Sequence, residues 1–446
     1  MSAEEKIRLP DLLVVLLDGK PVGQIRRGGP DGNRLSFTYD DDWRSQRNAS
    51  PLSFSMPLSG ATYGHDIINP WMWNLLPDNE LLLQRIATGN RVSAASAFAL
   101  LWVIGEDCPG AVQFVESGRV EAMTREGGVE PISEEEIARR LTDLRRAQSL
   151  GREPNEGQFS LSGAQPKTAL AYLDGKWSVP SGRIPTTHIL KPPITGLDGH
   201  AENEVFSLRL AQKAGLRAAN ADVMRFGKEL SIVVERYDRF RTGEGRLARI
   251  HQEDICQALA VHPATKYENQ GGPGIVKIME LLNWTSEPTA DRRSFMRAIA
   301  FNFLIMGTDA HAKNYSLLFS RSRTRLAPLY DIASYLPYLP ERWQDQTMPM
   351  RIEKYYKYAE ILPRHWKRMA KACGFPEDEA VGQVFDLTIN LPTAAREVVG
   401  EMREKGIEHP VLERLVTLIE WRCNHIWESW KLEPSSSVFC SGSDLE

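Results

Sequence analysis

The sequence predicts an α+β protein of two lobes, a small β-rich one and a mostly helical one, preceded by a further β-rich unit. Three observations carry this. The chain has 446 residues, too many for one hydrophobic core. Short apolar runs joined by Asp-Gly or Gly-Lys turns fill two stretches, the first ~45 residues and those from 158 to about 240, and a helix-rich stretch follows. The polar segment "GREPNEG", 151–157, separates these halves as a linker. The expected units are 1–150, with a β-rich start and a helical end, 151–240 and 241–433, followed by a loose tail at 434–446.

Each element has its own signal. "LLVVLLDGKPVGQIRR" is two apolar runs around Asp18-Gly19, the dipeptide of a type I′ hairpin, and "RLSFTYDDDW" continues the strand pattern. "PWMWNLLPDNELLLQRIA" and "SAASAFALLWVIG" read as helical. Ser133 with Glu136 makes a capping-box signature, and Ile137, Leu141 and Leu144 form one apolar stripe. "FSLSGAQPKTALAYLDGKWSVP" reads as strand, tight loop and two strands around Asp174-Gly175, and "THILKPP" as a short strand ending in Lys191. "AENEVFSLRLAQKAG" is helical, with Val205, Leu208 and Ala211 inward. Strands "ADVMRF" and "LSIVVERYDRF" flank a Gly227-Lys228 turn. Helices then lead to the loop "MGTDAHAKNYSLL", 306–318, and to "LAPLYDIAS".

Composition narrows the function. An apolar fraction of 42% and a net charge of −4 fit a soluble protein without a chain-wide nucleic-acid coat. No apolar run approaches the roughly 18 residues of a membrane span, and the N-terminus lacks signal-peptide character, so a cytoplasmic location without membrane contact is expected. The five scattered cysteines read as reduced thiols, neither a metal site nor a disulfide frame.

Moving a phosphoryl group from ATP needs few parts, because positioning and charge neutralisation stabilise its transition state. Protein kinases place a catalytic Asp five residues before a metal-binding Asn; Asp309 and Asn314 are also five apart. A metal-holding Asp follows a strand pair, where Asp331 stands; its plainer reading is a helix cap. A strand lysine and a helix carboxylate come upstream, in the order of Lys191 and Glu204. An Asn amide oxygen, an Asp and phosphate oxygens make a sensible Mg²⁺ set. His311 reads as ordering the loop, and Lys313 either neutralises the terminal phosphate or is solvated. No glycine-rich phosphate motif precedes Lys191. "SGAQPKT", with Gly163, Ala164, Gln165, Lys167 and Thr168, is the candidate for that role, or else an ordinary hairpin turn. In "VVERYD", Glu235, Arg236, Tyr237 and Asp238 fit a hinge whose backbone reads adenine while Tyr237 stacks, or an exposed strand end. The whole set points to phosphoryl transfer from ATP.

These segments, with "PLSFSMPL", "NLLPDNELLLQRIA", "HQEDICQAL" and "KYENQGGPG", resemble the HipA-type serine/threonine kinases, toxins of bacterial type II toxin–antitoxin pairs, from about residue 10 to 430. The resemblance implies a bilobal, protein-kinase-like fold with a mostly helical C-lobe, ATP phosphates on Lys191, catalysis by Asp309, and Mg²⁺ on Asn314 and Asp331. It also implies an aminoacyl-tRNA synthetase substrate, notably the glutamyl enzyme, and a HipB-like helix-turn-helix antitoxin through which operator DNA is held. Inactivating self-phosphorylation would fall on Ser160, with Ser162 a second candidate. Pro166, where glutamate is often seen, and Ala310 after the catalytic Asp depart from the pattern without removing a charge. Two other readings compete: a non-catalytic, kinase-shaped corepressor, and a small-molecule kinase of related fold.

Overall fold

Asp18 and Gly19 take φ of 47° and 77°, the left-handed pair that a type I′ loop needs. The strands Leu12–Leu17 and Lys20–Gly28 therefore pair antiparallel across it. The computed structural model describes residues 8–29, 32–125, 127–150, 162–163, 165–320, 323–339 and 343–431. The linker 151–157, Ser160, Ala164 and the tail 434–446 lie outside the described residues.

The amino-terminal unit is a five-stranded sheet in the order Thr62–Tyr63, Arg34–Tyr39, Lys20–Gly28, Leu12–Leu17, Val112–Val115. Its core includes Phe37, Trp71, Phe98 and Phe114, all buried. The apolar stretch from 65 to 89 is two helices, His65–Leu75 and Glu80–Gly89. Pro77 lacks the N–H that continuing the first would need, and the Asn79 side chain caps the second by accepting the Leu82 N–H. The break between them sets Asp78 apart from both.

A second, fully antiparallel sheet has six strands, in the order Ala221–Phe226, Glu229–Glu235, His188–Lys191, Thr168–Leu173, Lys176–Gly182, Gly127–Pro131. Ser133 accepts the Glu136 N–H and starts the helix Glu134–Leu150. Ile137 and Leu141 of that helix are buried against Leu170, Trp177, Leu190 and Phe226 of this sheet. Residues 127–150 thus extend the second sheet, whereas the sequence reading grouped them with the first unit. The apolar stripe shows that the helix is buried; its partner sheet follows from the pairing of Gly127–Pro131 with Lys176–Gly182. The helix His200–Lys213 is buried along almost its whole length, including Val205, Leu208 and Ala211.

The helical lobe gathers Pro288–Ile305, Pro363–Ala372, Glu377–Glu404 and Pro410–Lys431 about one core that includes Phe301, Phe303 and Trp366. A three-stranded sheet is formed by His251–Asp254, Ser316–Ser320 and Arg323–Leu326, and its Gln252 accepts the Tyr237 hydroxyl. Among the described residues, no helix is long and apolar enough to cross a membrane, and Cys108, Cys256, Cys373 and Cys423 are buried free thiols.

Candidate active site

The helix Pro288–Ile305 stops at Met306, which takes the left-handed φ of 52° and turns the chain into the loop that carries Asp309. The His311 N–H bonds the Asp309 carbonyl at 2.8 Å, and Asn314 Nδ2 donates to that same carbonyl at 2.6 Å. The five-residue spacing is therefore a closed loop. Both residues line one cleft of about 760 Å³, a size suited to a small-molecule ligand. The Asp309 carboxylate accepts the Tyr267 hydroxyl at 2.5 Å. Desolvation pushes that carboxyl up, the Tyr267 hydroxyl works the other way, and the charge of Asp331 adds to the rise. His311 Nε2 lies 3.7 Å from Asp309, but burial holds the imidazole down to about 3. It is neutral at pH 7 and packs edge-on against Tyr267 at 4.8 Å, so it forms no ion pair with Asp309.

Lys191 ends its strand with Nζ 2.7 Å from Glu204 and 2.6 Å from Asp331. Burial disfavours this ammonium, but the two carboxylates outweigh burial and hold its pKa above the ordinary lysine value. Burial likewise opposes the Asp331 charge, and Lys191 and Lys167 outweigh it, holding the carboxyl well below the usual range. Asp331 has φ 57°, and no helix begins after it, so the cap reading is set aside. Among the described residues, no hydrogen bond occupies Asp331 Oδ2 or Asn314 Oδ1, and no cluster of three His, Cys, Asp or Glu residues offers a rival metal site. One carboxylate and one amide oxygen fit Mg²⁺, which retains water and takes further oxygens from phosphates.

Gly163 takes φ 109°, and Lys167 Nζ donates to the Ser162 carbonyl at 2.8 Å, folding the candidate phosphate loop over the cleft. A Cβ on Gly163 would lie 2.7 Å from that ammonium. Gln165 anchors the loop to the Pro192 carbonyl at 2.8 Å. Burial pushes the Lys167 pKa down to about 8, against the pull of Asp331. Thr168 pairs with Leu190 in the sheet and stands outside the cleft lining.

The hinge departs from expectation. Glu235, Arg236, Tyr237 and Asp238 all border the cleft, but two of their side chains are committed elsewhere. Arg236 pairs with Asp238 at 2.9 Å and Asp107 at 3.5 Å, within a buried cluster that also holds Arg239 and Arg249. Buried charges need such partners, which leaves Arg236 and Asp238 as structural side chains. Glu235 is exposed and accepts from Asn220. The Tyr237 hydroxyl donates to Gln252 Oε1 at 2.5 Å, and its ring lies 5.9 Å from that of Tyr330.

Sequence reasoning missed Asp78, Lys266 and Tyr267. Asp78 receives Lys313 at 2.6 Å and Lys266 at 2.8 Å, so Lys313 is ion-paired and buried. The signals were the motifs "NLLPDNE" and "KYENQGGPG", whose polar residues sit beside turn formers and carry no spacing rule.

Two family descriptions match the chain: HipA-like C-terminal domain over residues 159–404, and HipA N-terminal domain over 13–115. Y4mE of Sinorhizobium fredii, a candidate kinase by its name, is 38% identical over 370 residues, 81% of this chain and 86% of that one. The serine/threonine-protein kinase toxin HipA of Shewanella oneidensis is 30% identical over 375 residues, 81% of this chain and 83% of that one. A solved complex of Shewanella oneidensis HipA, HipB and operator DNA contains a chain that matches with TM-score 0.80 and 26% identity, over 94% of this chain and 100% of that one.

Proposed function

This chain belongs to the HipA family of serine/threonine kinases, and from that premise we propose that it transfers the γ-phosphoryl group of ATP to a protein hydroxyl. The observation that carries the reading is the convergence of Lys191, Glu204, Asp331, Asp309 and Asn314 on one cleft. In this reading Lys191, held by Glu204, neutralises the ATP phosphates, and Lys167 with the backbone at Gly163 covers them. Asp331 and Asn314 hold Mg²⁺, which when bound neutralises phosphate charge. Asp309 accepts the proton of the attacking hydroxyl and aims its oxygen in line, Asn314 holds the loop through the Asp309 carbonyl, and Lys313 meets charge developing on the transferred group.

The family supplies the finer reading. We assign the chain the role of toxin to a HipB-like helix-turn-helix antitoxin, through which operator DNA is held; a net charge of −4 agrees with DNA contact made mainly by a partner. The substrate class is an aminoacyl-tRNA synthetase, the glutamyl enzyme first. Self-phosphorylation at Ser160 or Ser162 would add about −1.5 to −2 charges beside the phosphate loop and exclude ATP. Ser162 borders the cleft, next to Lys167.

The test incubates the chain with labelled ATP and cell extract, beside Asp309→Asn. We expect label on a discrete protein with the parent, and transfer reduced about 10²–10⁴-fold in the variant with ATP binding kept. Equal transfer by the two would remove Asp309 from its role. Label on a metabolite, or binding without transfer, would favour the small-molecule kinase or the corepressor.

A further inference from the structure

Asp78 belongs to the amino-terminal unit, yet its carboxylate reaches the cleft beside the residues assigned to ATP and catalysis. Oδ1 takes Lys313 at 2.6 Å and Oδ2 takes Lys266 at 2.8 Å. Its backbone N–H donates to the Gly163 carbonyl at 3.1 Å, and Pro77 forms a parallel bridge with Gly163. The next residue after Lys266, Tyr267, gives its hydroxyl to Asp309 at 2.5 Å. One aspartate thus touches the phosphate loop, the catalytic-loop lysine and the segment that contacts the catalytic carboxylate.

The charges explain why an aspartate is needed there. The Lys313 and Asp78 side chains are 3% and 11% exposed, so neither keeps its full hydration. Without the carboxylate, two ammonium groups would face each other in a cleft that also holds Lys167 and Lys191, and like charges in such a setting repel strongly. Burial alone would raise the Asp78 carboxyl; the Lys313 and Lys266 ammoniums outweigh it and hold the group ionised.

We propose that Asp78 is a positioning residue for phosphoryl transfer, fixing the Lys313 ammonium at the terminal phosphate and, through Lys266, the Tyr267 hydroxyl against Asp309. The amino-terminal unit then completes the kinase site. This rests on the phosphotransfer reading above.

Asp78→Asn keeps size and backbone contacts and removes the charge. We expect kcat to fall tenfold or more, while KM for ATP stays within about threefold, because Lys191 and the Gly163 backbone are untouched. Asp78→Glu restores part of the rate. In a Lys313→Met background, adding Asp78→Asn costs less rate than it does in the parent, since the route through that lysine is already lost and only the one through Lys266 remains. A kcat for Asp78→Asn within twofold of the parent, in a protein that melts like the parent, overturns the inference. Should Asp78→Asn fail to fold, Lys266→Met decides: a severalfold loss of kcat supports the inference, and parental turnover overturns it. A folded parent that binds ATP and transfers nothing overturns the phosphotransfer reading and this inference together; an active parent with a parental Asp78→Asn overturns this inference alone.

Discussion

At the scale of single residues, charge neutralisation is the recurring device. Lys191 lies between two carboxylates and Asp78 between two ammoniums, so the cleft holds Lys191, Lys266 and Lys313 at fixed points. Lys167 differs, because burial lowers its pKa to about 8. Above that pH the empty site presents a neutral amine, whereas a bound phosphate favours the ammonium. Binding must then take up a proton, and affinity for ATP should fall as pH rises past 8, by at most about tenfold per unit. Below 8 this group contributes no slope. Lys167→Arg keeps its charge and should flatten the profile. Titration calorimetry from about pH 7 to 9.5 checks this, and a flat parental profile would place Lys167 away from the phosphates. Lys191, Glu204, Asp309, Asn314 and Asp331, which line one cleft, could be singled out in the sequence because kinase chemistry fixes their order and one spacing. Asp78 could not, because its partners lie 188 and 235 residues away. No local period links such residues.

At the scale of elements, the turns were the most legible parts. Asp18-Gly19 and Asp174-Gly175 both take the positive φ their hairpins need, since few residues tolerate that backbone. The placement of Glu134–Leu150 was not legible, because an apolar stripe names no partner. The hinge was half legible: its strand was, but the burial of Arg236 and Asp238 depends on Asp107, 129 and 131 residues before Arg236 and Asp238 respectively. The strand His251–Asp254 shows what such contacts do to stability. Glu253 accepts the Phe54 N–H at 2.8 Å and the Trp71 indole N–H at 3.3 Å. Burial drives its carboxyl from 4.5 up to about 8, against those N–H donors. Between these values the folded chain keeps a proton that the unfolded chain has lost. Its stabilising contribution is complete below the lower value and is lost as pH rises through the upper one. Burial likewise raises neighbouring Asp254, to about 7, which adds to the slope. Glu253→Gln should flatten the Glu253 part and raise stability near pH 8. Urea midpoints at about pH 5.5 and 8 measure it; an unchanged difference between them would contradict the assignment.

At the scale of the whole molecule, the six-stranded and three-stranded sheets, the helices His65–Leu75 and Glu80–Gly89 of the amino-terminal unit and the helical lobe meet at one cleft. The amino-terminal unit is tied to the rest by polar contacts rather than chain continuity alone: Asn74 to the Val261 carbonyl, Ser55 to the Gln257 carbonyl, and Asp18 to the Arg249 N–H. That arrangement lets a residue from the first unit act on a lysine of the last. It also makes the cleft a shared product of all units, which no single segment discloses. The most direct measurement is a crystal structure of the full chain with a non-hydrolysable ATP analogue and Mg²⁺. We expect Asp331 and Asn314 oxygens on one metal ion, Lys191 on the phosphates, and Asp309 facing the space beyond the terminal phosphate. Nucleotide bound elsewhere, or these side chains turned away from it, would contradict the kinase assignment.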